Sequence, residues 1–352
     1  MFDVKISGSG IYLPPRVETS EELVTKINKS LDWIHQKAGV FERRVSDIDV
    51  DQMGAIAGKA ALNGGPPPDL IINASGVPKQ TIPDTSTFFQ KEMGLDGIPS
   101  FSIHCTCLSF IAALHTASSL IQSKSYKRIL IISSDRGTVG RNFEEPESAS
   151  LLGDGAAAVL VEPSDTKDRS QFLYHTMNTW PSGTELTEVR GGGTRKHPLD
   201  PNTSRNDNLF SMDGPAVYKI ARKEVYRMLL KTLKETGLKR QSIDWVVPHQ
   251  ASKKAVEAYS AIGGFKKEKV LETVSRFGNC VGLIHSSTTD KSRASAWLAA
   301  KENKLSVILG TRSSIFVPFH SLGLIVIDEE HDESYKQQSG LMYSARDLAV
   351  VK

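Results

Sequence analysis

Cysteine is scarce: the 352-residue chain has three, an odd number, and no Cys-x-x-Cys pair. A disulfide framework is therefore excluded and a reducing compartment expected, because oxidised scaffolds carry dense, even cysteine sets. No His-x-x-x-His pair exists either, so nothing suggests zinc and no metal is expected. No run approaches 18 apolar residues, which argues against a membrane span. The opening residues, Met1-Phe-Asp-Val-Lys-Ile-Ser-Gly8, read as a strand and lack the basic-then-apolar build of a leader, so a cytoplasmic protein is expected. A phosphate loop is lacking too. Gly54-Ala-Ile-Ala-Gly58-Lys59-Ala60 falls one residue short of Walker A and has no Ser/Thr, and Gly191-Gly-Gly193 reads as a flexible loop. The positive excess, 43 Lys+Arg over 40 Asp+Glu, is too small to argue for nucleic acid.

What is present suits a soluble α/β protein. The chain is long enough for two domains or one large duplicated fold. Residues 3–13 read as a strand with a Gly8/Gly10 turn, and Thr19-Ser-Glu-Glu-Leu23 opens a helix with good capping chemistry. Leu31 to Arg44 sets an aromatic among several cations, by itself a solvated helix end. Gln52–Leu62 is an Ala- and Gly-rich helix, Asp69–Asn73 and Arg128–Ser134 are buried strands, and Leu151–Val161 is a Gly-Asp-Gly turn feeding another. This alternation implies a largely parallel sheet. After a polar link, Ser164–Ser170, the pattern partly repeats: Phe172–Met177, a long amphipathic helix Ala216–Thr236, then a strand Ser242–His249.

The stretch most suited to chemistry is Ser100-Phe-Ser-Ile-His-Cys-Thr-Cys-Leu-Ser-Phe110. Phe101, Ile103, Cys105 and Cys107 alternate as in a strand. From Leu108 the spacing of Phe110, Ile111, Leu114, Ala117 and Ile121 becomes helical. Ala and Ser fill most gaps, so this helix is expected to be buried on nearly all sides. Cys107 then lies where a strand meets a helix N-terminus, whose dipole and free N–H groups favour thiolate and lower the pKa. On this stretch alone, a small buried hydrophobe is the commoner outcome. His249 also ends a strand, and ligands of open α/β sheets gather at such ends.

An ordered set of segments changes the balance: Gly10-Ile-Tyr-Leu-Pro14, Asp32-Trp-Ile34, Gly39-Val-Phe-Glu-Arg-Arg44, Cys107-Leu-Ser-Phe110, Gly153-Asp-Gly-Ala156, Met212-Asp-Gly-Pro215, His249-Gln-Ala-Ser252 and Phe277-Gly-Asn279. Residues 1–282 with these segments resemble 3-oxoacyl-(acyl carrier protein) synthase III, a thiolase-like condensing enzyme. The resemblance implies a layered α/β/α/β/α fold from two pseudo-repeated halves, 1–165 and an incomplete 166–282. It implies that Cys107 takes an acyl group from acyl-CoA, and that His249 and Asn279 stabilise the enolate of malonyl-acyl carrier protein. Trp33 matches the residue that stacks on the CoA adenine. Lys37 and Lys254 fall where the family has Arg near the CoA phosphates, and Gly214 and Ser252 belong with the substrate-binding residues. An Arg usual before Gly153 is absent, and Ile82 replaces a usually aromatic residue that closes the acyl tunnel across a homodimer interface. No cofactor is implied; the partners are acyl carrier protein, a CoA thioester and a second copy of the chain.

Beyond Gly282 the pattern of that family stops, and its Gly-rich oxyanion loop is missing. Residues 283–352 instead resemble an internal piece of the primosomal replication helicase, through Leu283-Ile-His-Ser-Ser287, Ile308-Leu-Gly-Thr-Arg-Ser-Ser-Ile-Phe316, Ser334-Tyr-Lys-Gln-Gln338 and a Walker B-like Asp328-Glu329-Glu330-His331. Without a phosphate loop that motif is expected to be inactive. Lys291–Asn303 reads as a helix, Leu305–Leu309 and Leu322–Asp328 as strands, expected to fill the strand positions the synthase lost. A condensing acyltransferase slowed by its tail is the leading expectation, against a helicase fragment or an inactive chimera.

Overall fold

Short apolar runs build the sheet on which the rest of the first unit is laid. The computed structural model describes residues 1–165, 170–274, 281–284, 290–301, 307–310, 312–319 and 344. The chain divides into two units, Met1–Glu272 and Thr273–Lys352. Strands of the first are β1 (Val4–Tyr12), β2 (Arg16–Thr19), β3 (Glu42–Val45), β4 (Leu70–Asn73), β5 (Ser100–Ser102), β6 (Ile129–Arg136), β7 (Asp154–Pro163), β8 (Thr187–Glu188) and β9 (Ser211–Met212). Its helices are α1 (Ser20–Val24), α2 (Leu31–Lys37), α3 (Val50–Leu62), α4 (Thr85–Met93), α5 (Ser109–Gln122), α6 (Pro146–Ala149), α7 (Gly214–Thr236) and α8 (Lys253–Gly263).

Five strands form the main sheet in the order β1-β7-β6-β4-β5. The β6/β4 and β4/β5 pairs are parallel, and β1/β7 and β7/β6 antiparallel. A largely parallel sheet was the expectation; the sheet is mixed. The link 137–153 carries only a 3₁₀ turn, Gly137–Gly140, and the one-turn α6, too little helix for a crossover, so β7 returns beside β6 in the opposite sense.

Alternation along the strands sorts side chains to two faces. Leu70, Ile72, Ile129 and Ile131 pack with Ala113, Ala117 and Ile121 of α5. Ile71, Leu130 and Ile132 pack with Met53, Ala57 and Ala61 of α3 and Phe89 of α4. The small residues of α3 let it lie close on β1: a Cβ added at Gly10 would sit 2.1 Å from the Ala57 carbonyl oxygen. The Gly54–Ala60 stretch is thus a packing surface. Helix starts follow the capping chemistry. Thr19 accepts from Glu22 N–H, and Asp49 with Gln52 makes a capping box on α3.

The strand expected over Ser242–His249 does not form. Phe172 makes a single antiparallel bridge to Phe2, and Val246 a single parallel bridge to Val270. Apolar alternation makes a strand only where a neighbour pairs along its length. Here Trp245 and Val247 stand 62% and 70% exposed. Helix α7 is long as expected and packs on α8, but none of its residues is fully buried. The expected enclosure of α5 is corrected likewise: Ser109, Ala113, Ala117, Ser118 and Ile121 are buried, while Ile111 is 43% exposed. Among the described residues, the first half builds three layers, α/β/α, and the second adds helices without an extended sheet.

The second unit holds β10 (Val281–Ile284), α9 (Asp290–Lys301) and β11 (Val307–Gly310). The two strands pair in parallel, Val281 opposite Val307 through Ile284 opposite Gly310. A turn, Arg312–Phe316, follows, and Ala300 and Val317 are buried with Ala296 and Phe319 against them. The helix and first strand lie within two residues of expectation; 322–328 falls outside the described residues. Among the described residues β11 pairs with β10, as a β-α-β crossover supplies a parallel neighbour.

Gly10→Ala is expected to lower unfolding free energy by about 1–3 kcal/mol, the usual range for overpacking. Chemical denaturation measures it, and an unchanged midpoint would contradict the close fit of β1 on α3.

Candidate active site

Cys107 sits in a tight turn between β5 and α5. The strand expected to run up to it stops at Ser102. A single helical turn of 3₁₀ type spans Thr106–Leu108 before α5 begins at Ser109. Thr106 has φ +50, a left-handed conformation that β-branched residues adopt only when neighbours enforce it. The enforcing bonds are local. Leu108 N–H donates to Cys105 C=O at 3.0 Å. The Ser109 hydroxyl accepts from Cys105 N–H at 2.9 Å and donates to Thr106 C=O at 2.7 Å. Ile103 N–H donates to Asn73 C=O at 2.8 Å, and His104 Nε2–H to Gly76 C=O at 2.7 Å. The loop after β4 is held in turn by Asp135 at the end of β6, whose Oδ1 accepts from Gly76 N–H at 2.8 Å and Val77 N–H at 3.1 Å.

The Cys107 side chain is exposed at this turn, yet its pKa is raised. Loss of hydration is the main cause and the Asp135 carboxylate the second, with a backbone N–H pulling the other way. The expected lowering at the helix N-terminus is therefore corrected. Loss of hydration, and after it the nearby Asp135 carboxylate, outweigh the backbone N–H that favours thiolate. Burial also raises Asp135, opposed by the two N–H donors and His104.

A second group of expected residues collects where α2 meets α8. Lys253 N–H donates to Ala38 C=O at 3.0 Å. Gly39, at φ +73, lies so close that an added Cβ would stand 2.3 Å from Lys253 Cβ. This joint places the helix of Trp33 and Lys37 against the segment of Ser252 and Lys254. Trp33 is half-buried with Lys29 Nζ 5.3 Å from its ring centroid, and Lys37 and Lys254 are exposed. Ser252 caps α8 by accepting from Ala255 N–H at 3.2 Å. Gly214 opens α7 behind the Asp213 cap. Ile82 stands 79% exposed.

The cations after α2 do not form a solvated end. Arg43 is buried, donates to Ser150 C=O, and is pushed down to about 10 by loss of hydration. His249 keeps part of its ring open to solvent, but the surrounding protein dehydrates its cation and lowers its pKa. The imidazole is therefore neutral at neutral pH, and able to donate one N–H. Gln250 beside it anchors the chain to Pro248 and Leu271 carbonyls at 2.8 and 3.0 Å.

Cys107 and His249 share the first unit; Asn279 and Asp328, Glu329, Glu330 and His331 lie outside the described residues. No metal-binding cluster occurs among the described residues. Sequence reading missed Asp135 and His104. A carboxylate directly after a buried strand was the available signal for Asp135; nothing marked His104.

The sequence profile of 3-oxoacyl-[acyl-carrier-protein] synthase III matches residues 101–180, and that of its C-terminal region matches 233–310. A beta-ketoacyl-[acyl-carrier-protein] synthase III of Erythrobacter litoralis is 31% identical over 286 residues, covering 79% of this chain and 87% of that protein. The chain belongs to the 3-oxoacyl-[acyl-carrier-protein] synthase III family. The Neisseria meningitidis enzyme of the same name is 30% identical over 283 residues, covering 78% of this chain and 85% of that protein. The crystal structure of 3-oxoacyl-[acyl-carrier-protein] synthase III from Aquifex aeolicus superposes with a TM-score of 0.69 at 28% identity, over 87% of this chain and 95% of that one. The synthase match runs to residue 310, past Gly282, so it takes in β10, α9 and β11.

Because Asp135 raises the Cys107 pKa, Asp135→Asn should shift the pH profile of Cys107 alkylation by iodoacetamide to lower pH, with faster labelling at neutral pH. An unmoved profile would contradict the electrostatic link.

Proposed function

We propose that this synthase III family member joins an acyl primer to malonyl-acyl carrier protein by decarboxylative Claisen condensation. The observation that carries the reading is the exposed Cys107 thiol at the head of α5, in a chain 31% identical to a beta-ketoacyl-[acyl-carrier-protein] synthase III. The Cys107 thiolate attacks the carbonyl of an acyl-CoA, a carbon–sulfur bond forms, and CoA leaves as its thiol. Splitting the reaction through a thioester replaces one difficult step by two easier ones. Malonyl-carrier protein then loses CO2, and the electron pair moves onto its thioester oxygen. Neutral His249 and the Asn279 amide donate hydrogen bonds to that oxygen, stabilising the enolate without exchanging a proton. The enolate carbon attacks the Cys107 thioester and frees the thiolate with the 3-oxoacyl product.

Trp33, Lys37, Lys254, Gly214 and Ser252 serve the CoA side in this reading. Lys attracts a phosphate but grips it less well than the bidentate Arg the family uses, so weak CoA binding is expected. Ile82 is the point where a second copy would meet the acyl chain in a homodimer. The helicase-like reading of the tail rests on Asp328-Glu-Glu-His331, and the sequence has no Gly-x-x-x-x-Gly-Lys-Ser/Thr to hold a nucleotide phosphate. We read the tail as non-catalytic. The Gly-rich oxyanion loop is replaced by Thr311–Ser321, which has no glycine, so turnover should fall short of an intact synthase by roughly 10²–10³, the usual loss for one oxyanion donor.

Intact-mass measurement after incubation with acyl-CoA should show one acyl adduct, absent in Cys107→Ser. His249→Ala should keep that adduct and lose condensation. An adduct surviving Cys107→Ser, or equal loss of self-acylation in both variants, would overturn these roles.

A further inference from the structure

The turn that presents Cys107 holds a second thiol. Cys105 and Cys107 are both free, the first half-buried and the second exposed. One residue separates them, so even a fully extended chain keeps their Cα atoms within roughly 7 Å. Here the chain is bent. Leu108 N–H donates to Cys105 C=O at 3.0 Å, and Thr106 between the thiols has φ +50. A turn closed by that bond brings the pair into the Cα range in which disulfides form, roughly 4.4–6.8 Å. The Ser109 hydroxyl holds the same turn from Cys105 N–H (2.9 Å) and Thr106 C=O (2.7 Å).

We propose that Cys105 is a resolving thiol for Cys107, and that under peroxide the two close a reversible disulfide that protects the sulfur of Cys107 and stops acylation until a reductant reopens it. In the first step the Cys107 thiolate attacks one peroxide oxygen. An S–O bond forms, the O–O bond breaks, and hydroxide leaves and takes up a proton as water. Cys107 is oxidised by two electrons to a sulfenic acid. The Cys105 thiolate then attacks the Cys107 sulfur; the S–S bond forms, the S–O bond breaks, and a second water leaves. Overall, two thiols and one hydrogen peroxide give one disulfide and two waters. A thiol reductant reverses it by exchange through a mixed disulfide. The raised pKa of Cys107 makes the first step faster as pH rises. Once the sulfenic acid forms, the neighbouring thiol competes with further peroxide, whose product would be irreversible. Loss of acylation rests on the reading of Cys107 as acyl acceptor; closure of the disulfide does not.

The test is intact mass and non-reducing peptide mapping of the full chain after hydrogen peroxide. The expected result is a loss of about 2 Da with Cys105 and Cys107 both closed to alkylation, reversed by dithiothreitol. Cys280→Ser should behave as the parent. Cys105→Ser and Cys105→Ala should instead gain about 32 Da on Cys107, the sulfinic acid, which dithiothreitol does not remove. A mass loss that survives either Cys105 substitution, a Cys107–Cys280 link in the map, or oxygen addition to the parent chain without the 2 Da loss would overturn the proposal. A disulfide in a chain whose reduced form never takes an acyl group on Cys107 would sustain the thiol pairing and overturn the functional reading alone.

Discussion

Asp135 ties together the ends of two parallel strands, and the reactive turn rests on that knot. Its Oδ1 takes the N–H groups of Gly76 and Val77 just beyond β4. The neighbouring bonds run the same way: Ser134 N–H to Ser75 Oγ at 2.9 Å and Ser133 Oγ to Ala74 C=O at 2.9 Å. Asn73 continues the stitching to β5, donating to Ser102 Oγ at 2.8 Å. Parallel strand ends leave backbone groups without ladder partners, and polar side chains satisfy them here. A floor built this way is stiff. It can hold Thr106 at a positive φ and keep a thiol pointed away from the core.

The same knot sets the electrostatics. Loss of hydration, and after it a carboxylate near the thiol, oppose thiolate, so this thiol is poised by position rather than by acidity. That suits a nucleophile whose partner is an activated thioester. Intrinsic nucleophilicity rises with thiol pKa, so a smaller thiolate fraction is partly offset by a more reactive thiolate. On the other side of the reaction, dehydration keeps His249 neutral, which is the form able to donate to an enolate oxygen.

The first half was largely legible because its sequence signals are local. Capping at Thr19, the apolar runs of β4 and β6, and the Gly/Ala content of α3 each name an element on their own. The second half was not. Ser242–His249 carries strand patterning, but a strand also needs neighbours, and it makes a single bridge, Val246 to Val270. The site divides in the same way. Cys107 and His249 stood out by residue type and order, whereas the pKa of Cys107 depended on loss of hydration in the folded turn and then on Asp135, distant in sequence and brought close by the β4/β6 pairing. The boundary at Gly282 was drawn where quoted motifs ended, while the profile match continues to 310 through a helix and strand of the right order but little motif identity.

The account stands on a carbon–carbon bond being made from a Cys107 thioester. The most direct measurement loads the chain with an isotopically labelled acyl group, removes free acyl-CoA, and adds malonyl-acyl carrier protein. Mass spectrometry then follows the label. The expected result is label leaving Cys107 and reappearing in a 3-oxoacyl-carrier protein, with one CO2 released per label transferred. Label released as free acid, with malonyl-carrier protein intact, would contradict it.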